Sequence, residues 1–277
     1  MWGNIPTLGV GLGFRQPFKS DLFLNRQKVD FLEIVAEHYL DTPPEKQQEL
    51  ELLAAHFPLI PHGINLSLGS AGGVDKDYLH KLAALVKQLN PPWWSEHICF
   101  TKAGGVDIGH LSPLPYTKEV VNVLCQNITE VQNLIDVPLI LENITYMLKL
   151  PGAEMTEAQF LTEVVEKCDC GLLLDITNLY TNAVNFGDDI EEFWQNLPWE
   201  RVAQLHFVGG HWHDDILIDS HSQSTPGEVW ELMKKVVNVA DVKGIVLERD
   251  ENLPTFAELV IELETAREIG RSAGKWL

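Results

Sequence analysis

Short apolar runs along this chain end, one after another, in a residue able to bind a cation. Leu59-Ile60-Pro61 leads to His62, Trp93-Trp94-Ser95-Glu96 to His97, Leu139-Ile140-Leu141 to Glu142, and Leu172-Leu173-Leu174 to Asp175. Leu205 precedes His206, Ile218 precedes Asp219 and then His221, and Ile245-Val246-Leu247 precedes Glu248. Taken singly, each has an ordinary role as a hydrogen-bonded structural histidine or a carboxylate near a helix start. As a ring they are expensive, because crowded, partly buried carboxylates repel one another and lose hydration. Bound cations relieve that cost, and the histidines add neutral nitrogen donors.

Imidazole plus carboxylate, with no thiolate, suits iron, manganese or zinc and disfavours an iron–sulfur cluster or calcium. Eight candidate ligands exceed the needs of one ion. Two or three ions sharing a carboxylate is therefore the economical reading, with Glu142, midway around the ring, as the expected bridge. Asp219 and His221 stand two apart, a spacing that puts both side chains on one side of an extended segment. His211-Trp212-His213 has the same spacing after Gly209-Gly210 and suits substrate contacts better than metal binding.

Something must bring these residues together. Eight strand candidates are legible: Leu8 to Gly13, Asp30 to Ala36, Leu59 to His62, Trp93 to Cys99, Pro138 to Glu142, Gly171 to Asp175, Arg201 to Val208 and Lys243 to Glu248. Helical periodicity lies between most of them, at Pro43 to Ala55, Asp75 to Leu89, Thr117 to Leu134, Thr156 to Lys167, Asp188 to Leu197, Pro226 to Val239 and Pro254 to Gly270. Thr42 is the expected N-cap of the first of these, and Thr156 with Gln159 spells a capping box. The connection from Arg15 to Lys28 has no clear pattern. Strand followed by helix, eight times, with nearly continuous apolar strands, predicts a single (β/α)8 TIM barrel of the xylose-isomerase-like kind over residues 1–277. Such barrels carry their active sites at the C-terminal strand ends, where the eight candidates fall.

Other chemistries lack their motifs. Gly9-Val10-Gly11-Leu12-Gly13 lies within the first strand rather than after it, which weighs against a dinucleotide fold, and there is neither a GxSxG elbow nor a P-loop. Cys99, Cys125, Cys168 and Cys170 form no CxxC pair and read as reduced thiols. Trp93-Trp94 is expected to pack between barrel and helices. The formal net charge of −20 repels phosphate backbones and makes nucleic acid an unsuitable partner. No run of about 18 apolar residues suggests a membrane helix. Met1 to Pro6 lacks the basic, apolar character of a signal peptide, so a cytoplasmic location is the expectation.

The same segments, in order, resemble the DUF692 family. They are Pro61-His62-Gly63 with Ser67-Leu68-Gly69-Ser70, Ser95-Glu96-His97, Pro113-Leu114-Pro115-Tyr116-Thr117, Leu141-Glu142-Asn143, Leu174-Asp175-Ile176-Thr177-Asn178, Leu205-His206, Ile218-Asp219-Ser220-His221 and Leu247-Glu248-Arg249-Asp250. That family comprises multinuclear non-haem iron oxygenases related to the methanobactin biosynthesis protein MbnB and to enzymes that modify cysteine in ribosomal peptides. The resemblance runs from about Gly9 to Pro254. It implies a TIM barrel holding two or three Fe ions (Fe2+/Fe3+), with ligands at His62, His97, Glu142, Asp175, His206, Asp219, His221 and Glu248. It also implies oxidation of a cysteine in a precursor peptide by dioxygen, with a small partner protein presenting the peptide leader. Some relatives have, where Asn178 stands here, a histidine that binds a third iron. Glu37-His38 replaces a more usual Glu-Asn, and Ser222-Gln223-Ser224-Thr225 departs from a frequent Gly-x-Pro-Val.

On this reading Glu37, His211 and Arg249 are the candidates for substrate or ligand-supporting roles. The competing expectation is a zinc- or manganese-dependent isomerase or hydrolase, since sugar-isomerase and endonuclease-IV-like barrels also ring their mouths with His, Asp and Glu.

Overall fold

The structure, a computed structural model, describes residues 5–276. The expectation drawn from the N-terminal stretch rests largely on Met1 to Asn4, which lie outside the described residues. Eight parallel strands close into a barrel: β1 (Gly9–Gly13), β2 (Leu32–Val35), β3 (Leu59–Gly63), β4 (Trp94–His97), β7 (Leu139–Glu142), β8 (Gly171–Asp175), β9 (Val202–Phe207) and β12 (Gly244–Leu247). Closure runs through β1, which pairs with β12 at Gly9–Gly244 and with β2 at Leu12–Leu32. The register sets site residues side by side, with His97 opposite Glu142 and Asp175 opposite His206.

Outside the barrel lie α1 (Lys19–Leu24), α2 (Pro44–Ala54), α3 (Lys76–Leu89), α4 (Lys118–Leu134), α5 (Glu157–Cys168), α6 (Ile176–Phe186), α7 (Ile190–Asn196), α8 (Gly227–Val239) and α9 (Phe256–Ser272). Apolar faces such as Leu79, Leu82 and Val86 of α3 and Val121, Leu124 and Ile128 of α4 pack on the strands, and this layer holds most of the core. Thr156 and Gln159 form the expected capping box on α5. Thr42 does not cap α2: that helix starts at Pro44, and the Thr42 hydroxyl instead accepts a hydrogen bond from Gln47 Nε2 at 2.9 Å.

The barrel interior has its own core of Phe31, Ile60, Trp93, Ile140, Leu173, Ala203 and Val246. The two adjacent tryptophans therefore part company. Trp94 packs in the barrel–helix layer as expected, whereas Trp93 fills the barrel itself. Gly11 of β1 also finds its reason here. A Cβ at Gly11 would lie 2.7 Å from the Phe31 ring, so glycine makes room for the phenyl group that plugs the barrel floor.

Two antiparallel hairpins stand outside the strands expected from the sequence. β5 (Phe100–Ala103) with β6 (Val106–Ser112) follows β4, and β10 (Gly209–His213) with β11 (Ile216–Gln223) follows β9. Helix α6 was also missed. It begins immediately after β8, and Asp175, the last residue of that strand, caps it by accepting from the Thr177 and Asn178 backbone N–H groups at 2.7 and 2.8 Å.

Candidate metal centre

Directly above the apolar floor the interior turns polar. Trp93 Nε1 donates to Gln204 Oε1 at 2.7 Å, which turns the Gln204 amide nitrogen to Glu33 Oε2 at 2.5 Å. Glu33 Oε1 stands 2.8 Å from His206 Nε2. A carboxylate only accepts, and it is nearer to this nitrogen than the Gln204 amide at 3.1 Å, so the imidazole proton belongs on Nε2. The Nδ1 lone pair of His206 is left facing the barrel mouth. There it lies 3.2 Å from Glu142 Oε1 and 3.1 Å from Glu248 Oε2.

The other oxygen of Glu142 faces a different pair: Oε2 is 3.2 Å from His62 Nε2 and 3.4 Å from His97 Nε2. Both of those imidazoles are anchored through Nδ1, His62 to Ser95 Oγ at 2.8 Å and His97 to the Gly63 carbonyl at 3.0 Å. The donor atoms form three overlapping groups, each with its members within 4.8 Å of one another. They are His62, His97 and Glu142; then Glu142, Asp175, His206 and Glu248; then His221, Glu248 and Asp250. Glu142 belongs to the first two, and Glu248 to the last two. Asp219 joins at the edge, with Oδ1 2.9 Å from His221 Nε2 and Oδ2 accepting from Thr145 Oγ1 at 3.1 Å.

These residues fit a metal cluster on one specific ground. Glu142 Oε2, Asp175 Oδ2, His206 Nδ1 and Asp219 Oδ1 are buried and have no hydrogen-bond partner, although imidazole nitrogens and carboxylate oxygens stand close by. Leaving such atoms unpaired costs about 1–3 kcal/mol each, and lone pairs that converge on common space are relieved by a cation. Electrostatics agree. Burial and the charges of Glu142 and Asp219 push the Asp175 carboxyl up to about 7. Burial acts on Glu142 in the same sense, but His206, His97 and His62 outweigh it and hold that group down at about 2. Burial opposes the charged form of His97, yet Glu142 and Glu96 raise it to about 9. Without a cation the neighbouring carboxylates favour the protonated forms of His97, His206 and His221, positive charge that a metal would otherwise supply.

A family model described as "RiPP precursor modification enzyme MbnB/TglH/ChrH" matches residues 9–271. The chain belongs to this family. Two curated relatives named UPF0276 protein agree over most of their length. The one from Caulobacter vibrioides is 36% identical over 263 residues, covering 95% of this chain and 94% of the relative. The one from Acinetobacter baylyi is 36% identical over 259 residues, covering 92% and 89%. Among solved structures, a D-tagatose 3-epimerase-like protein superposes with a TM-score of 0.61 at 17% identity, covering 95% of this chain and 98% of the other. A xylose isomerase domain protein from Alicyclobacillus acidocaldarius does so at 0.59 and 16%, covering 95% and 100%. At such identities the likeness is of fold alone, and it makes this a xylose-isomerase-like TIM barrel. Family and fold mark the MbnB/TglH/ChrH member as an enzyme, and the family together with the buried His, Glu and Asp groups points to metal binding.

Within this family member the sequence-predicted supporting residues go to different places. Glu37 Oε1 accepts from the Ile64 and Asn65 N–H groups at 2.7 and 2.9 Å and so ties down the loop after β3, while its Oε2 is buried without a partner. His211 is exposed on β10, with Nδ1 2.8 Å from Ser220 Oγ, the residue between Asp219 and His221. Arg249 is buried, and its Nη2 donates to Glu262 Oε1 of α9 at 3.0 Å, a strut from the end of β12 to the helix layer.

Three groups of the MbnB/TglH/ChrH member were overlooked in the sequence. Arg15 follows β1, in the connection that showed no pattern. Its Nη2 lies 3.5 Å from Glu248 Oε1, and its Nε donates to Asp250 Oδ1 at 2.6 Å, so the one strand that seemed to offer nothing delivers a cation to the ring. Asp250 Oδ2 is 2.8 Å from His221 Nδ1 and was signalled only by its closeness to Glu248 in sequence. Glu33 sits inside a strand, where an inward carboxylate among Leu32 and Ile34 was the available sign. The spacing of Asp219 and His221 correctly placed them together, but on a bulge rather than an extended strand. The ladder jumps from His211–Ile218 to Gly209–Gln223, and His221 has a φ of 50°.

Proposed function

We propose that this chain is a multinuclear, non-haem iron-dependent oxygenase that oxidatively modifies a cysteine of a ribosomally made precursor peptide using dioxygen. The observation that carries the reading is the sharing of Glu142 and Glu248 between three contiguous donor groups, an arrangement built for more than one ion. The proposed ligands are His62, His97, Glu142, Asp175, His206, Asp219, His221 and Glu248, holding two or three irons. Membership of a family described as modifying RiPP precursors supports the substrate class. Iron bound here would supply the one-electron chemistry that dioxygen requires and would favour the thiolate form of a cysteine brought to it.

The remaining roles belong to the chain. Glu33 holds His206 in the tautomer that presents Nδ1, the Gly63 carbonyl accepts from His97 Nδ1 and leaves its Nε2 free, and Ser95 Oγ orients the His62 ring through Nδ1. Arg15 offsets the negative charge of Glu248 and Asp250. Glu37 braces the loop after β3, His211 stands exposed beside Ser220 as the candidate for contact with the peptide, and a small leader-binding protein is the proposed presenting partner. The acidic chain disfavours nucleic acid, and among the described residues no helix is long and apolar enough to cross a membrane.

Anaerobic loading with ferrous iron, followed by a cysteine-bearing precursor peptide, its partner protein and oxygen, tests the proposal. The expected outcome is an oxygen-dependent change in peptide mass. An unchanged peptide, with activity on ketosugars supported by manganese or zinc and no oxygen uptake, would replace it with the isomerase alternative.

A further inference from the structure

The β10–β11 hairpin carries Asp219 and His221 on its inner strand, and apart from His211 its outer strand has no role in the site described above. Three observations define that outer strand. Residues His211 to His213 are exposed, and Trp212, with 56% of its surface open, is the one exposed tryptophan among the described residues. Second, the hairpin's other edge is closed: Asn185 of α6 accepts from the Leu217 N–H at 2.9 Å and donates to the Leu217 carbonyl at 2.8 Å. Third, Trp212 is the cross-strand partner of Leu217. Since the single N–H of Leu217 goes to Asn185, this is a non-hydrogen-bonded pair, and the N–H and C=O of Trp212 point away from β11. No described residue bonds to either group.

We propose that the free edge of β10 binds the substrate peptide as an added β-strand, with the Trp212 backbone supplying an N–H and a C=O and its indole covering a neighbouring side chain. This rests on the peptide-modifying function proposed above and names how that substrate is held. An open strand edge is normally blunted or covered, so an exposed one beside a site is a place for another chain to pair. Its position suits delivery. The bulge bearing Asp219 to Ser222 interrupts the ladder just past His211, so the edge leads from the hairpin tip to the residues of the cluster. An extended peptide advances about 3.3 Å per residue, so a strand anchored at Trp212 reaches the mouth within a few residues. Backbone pairing tolerates many sequences, as an enzyme acting on one cysteine of a longer peptide requires.

The test uses the full chain loaded with redox-silent zinc. The probe is a fluorescein-labelled peptide of alternating threonine and valine with one central cysteine, followed by fluorescence anisotropy. Two further versions carry N-methyl groups on the odd or on the even residues. One parity should bind about tenfold or more weakly than the other, since only alternate N–H groups face β10. Trp212→Pro removes the outward N–H without breaking a ladder bond and should weaken binding about tenfold, while Trp212→Ala should keep the parity difference. No saturable binding, equal binding of both parities, or a Trp212→Pro protein that binds like the unaltered chain would overturn the proposal. Parity-dependent binding without any oxygen-dependent mass change would retain the edge and remove the oxygenase reading. A mass change without parity dependence would do the reverse.

Discussion

Glu33 Oε1 stands 2.8 Å from His206 Nε2, and this one contact selects the imidazole nitrogen that faces the cluster. A glutamine there keeps the shape but loses the charge that holds the proton on Nε2. Glu33→Gln should therefore lower metal affinity by about 10- to 100-fold, as removal of a ligand's supporting partner typically does. Competition against a fluorescent chelator measures this, and unchanged affinity would show that His206 is oriented by other means.

Arg15 should matter most when metal is absent. It is the cation beside Glu248 and Asp250, so Arg15→Gln should destabilise the metal-free protein by roughly 1–3 kcal/mol. Added cations should offset much of that loss. Thermal melts in chelator and in excess manganese compare the two. Equal losses in both would mean that Arg15 acts by packing rather than by charge.

The donor residues gathered at the barrel mouth could be read in the sequence because barrel strands end there, so candidate ligands follow apolar runs directly. What orients them could not. Glu33 acts through His206 from a strand 171 residues from Gln204, its other partner, and no local spacing encodes that. Arg15 hides in a connection of short helical turns. Helix α6 escaped for a related reason. Its polar face, Asn178, Asn182 and Asn185, reads as loop by propensity. In the fold, the same face binds the Asn143 and Ile144 carbonyls and both backbone groups of Leu217. Tertiary partners outweigh the intrinsic cost of asparagine in a helix. The hairpins differ in this respect: Gly104-Gly105, both at positive φ, is a two-residue turn signal that was passed over, whereas β10–β11 turns at Asp214-Asp215 and β11 is broken by its bulge.

A pH dependence away from the metal centre follows from Glu157. Burial chiefly raises its carboxyl from 4.5 to about 7, against the opposing hydrogen bond from the Tyr146 hydroxyl at 3.1 Å. The folded state thus holds a proton that the unfolded chain releases. Stability should be full below about 4.5, decline as pH rises to about 7, and level off above. Glu157→Gln should flatten that decline and raise stability at pH 8 by roughly 1–3 kcal/mol relative to the unaltered chain. Urea melts at pH 5 and pH 8 check it, and an equal effect at both would exclude the Glu157 carboxyl as the cause.

Gly11→Ala should cost about 1–3 kcal/mol, because the added methyl meets the Phe31 ring in a filled barrel floor. A neutral outcome in denaturant melts would mean that Phe31 can move aside.

The central claim is that one barrel mouth holds several ions through shared carboxylates. Metal content per chain, measured by mass spectrometry after anaerobic saturation with ferrous iron and removal of free metal, tests it most directly, with Glu142→Ala as the paired sample. The account predicts about two or three irons per chain, falling to one or fewer when the shared carboxylate is removed. A content of one iron or none in the unaltered protein, or the same content in Glu142→Ala, would contradict it.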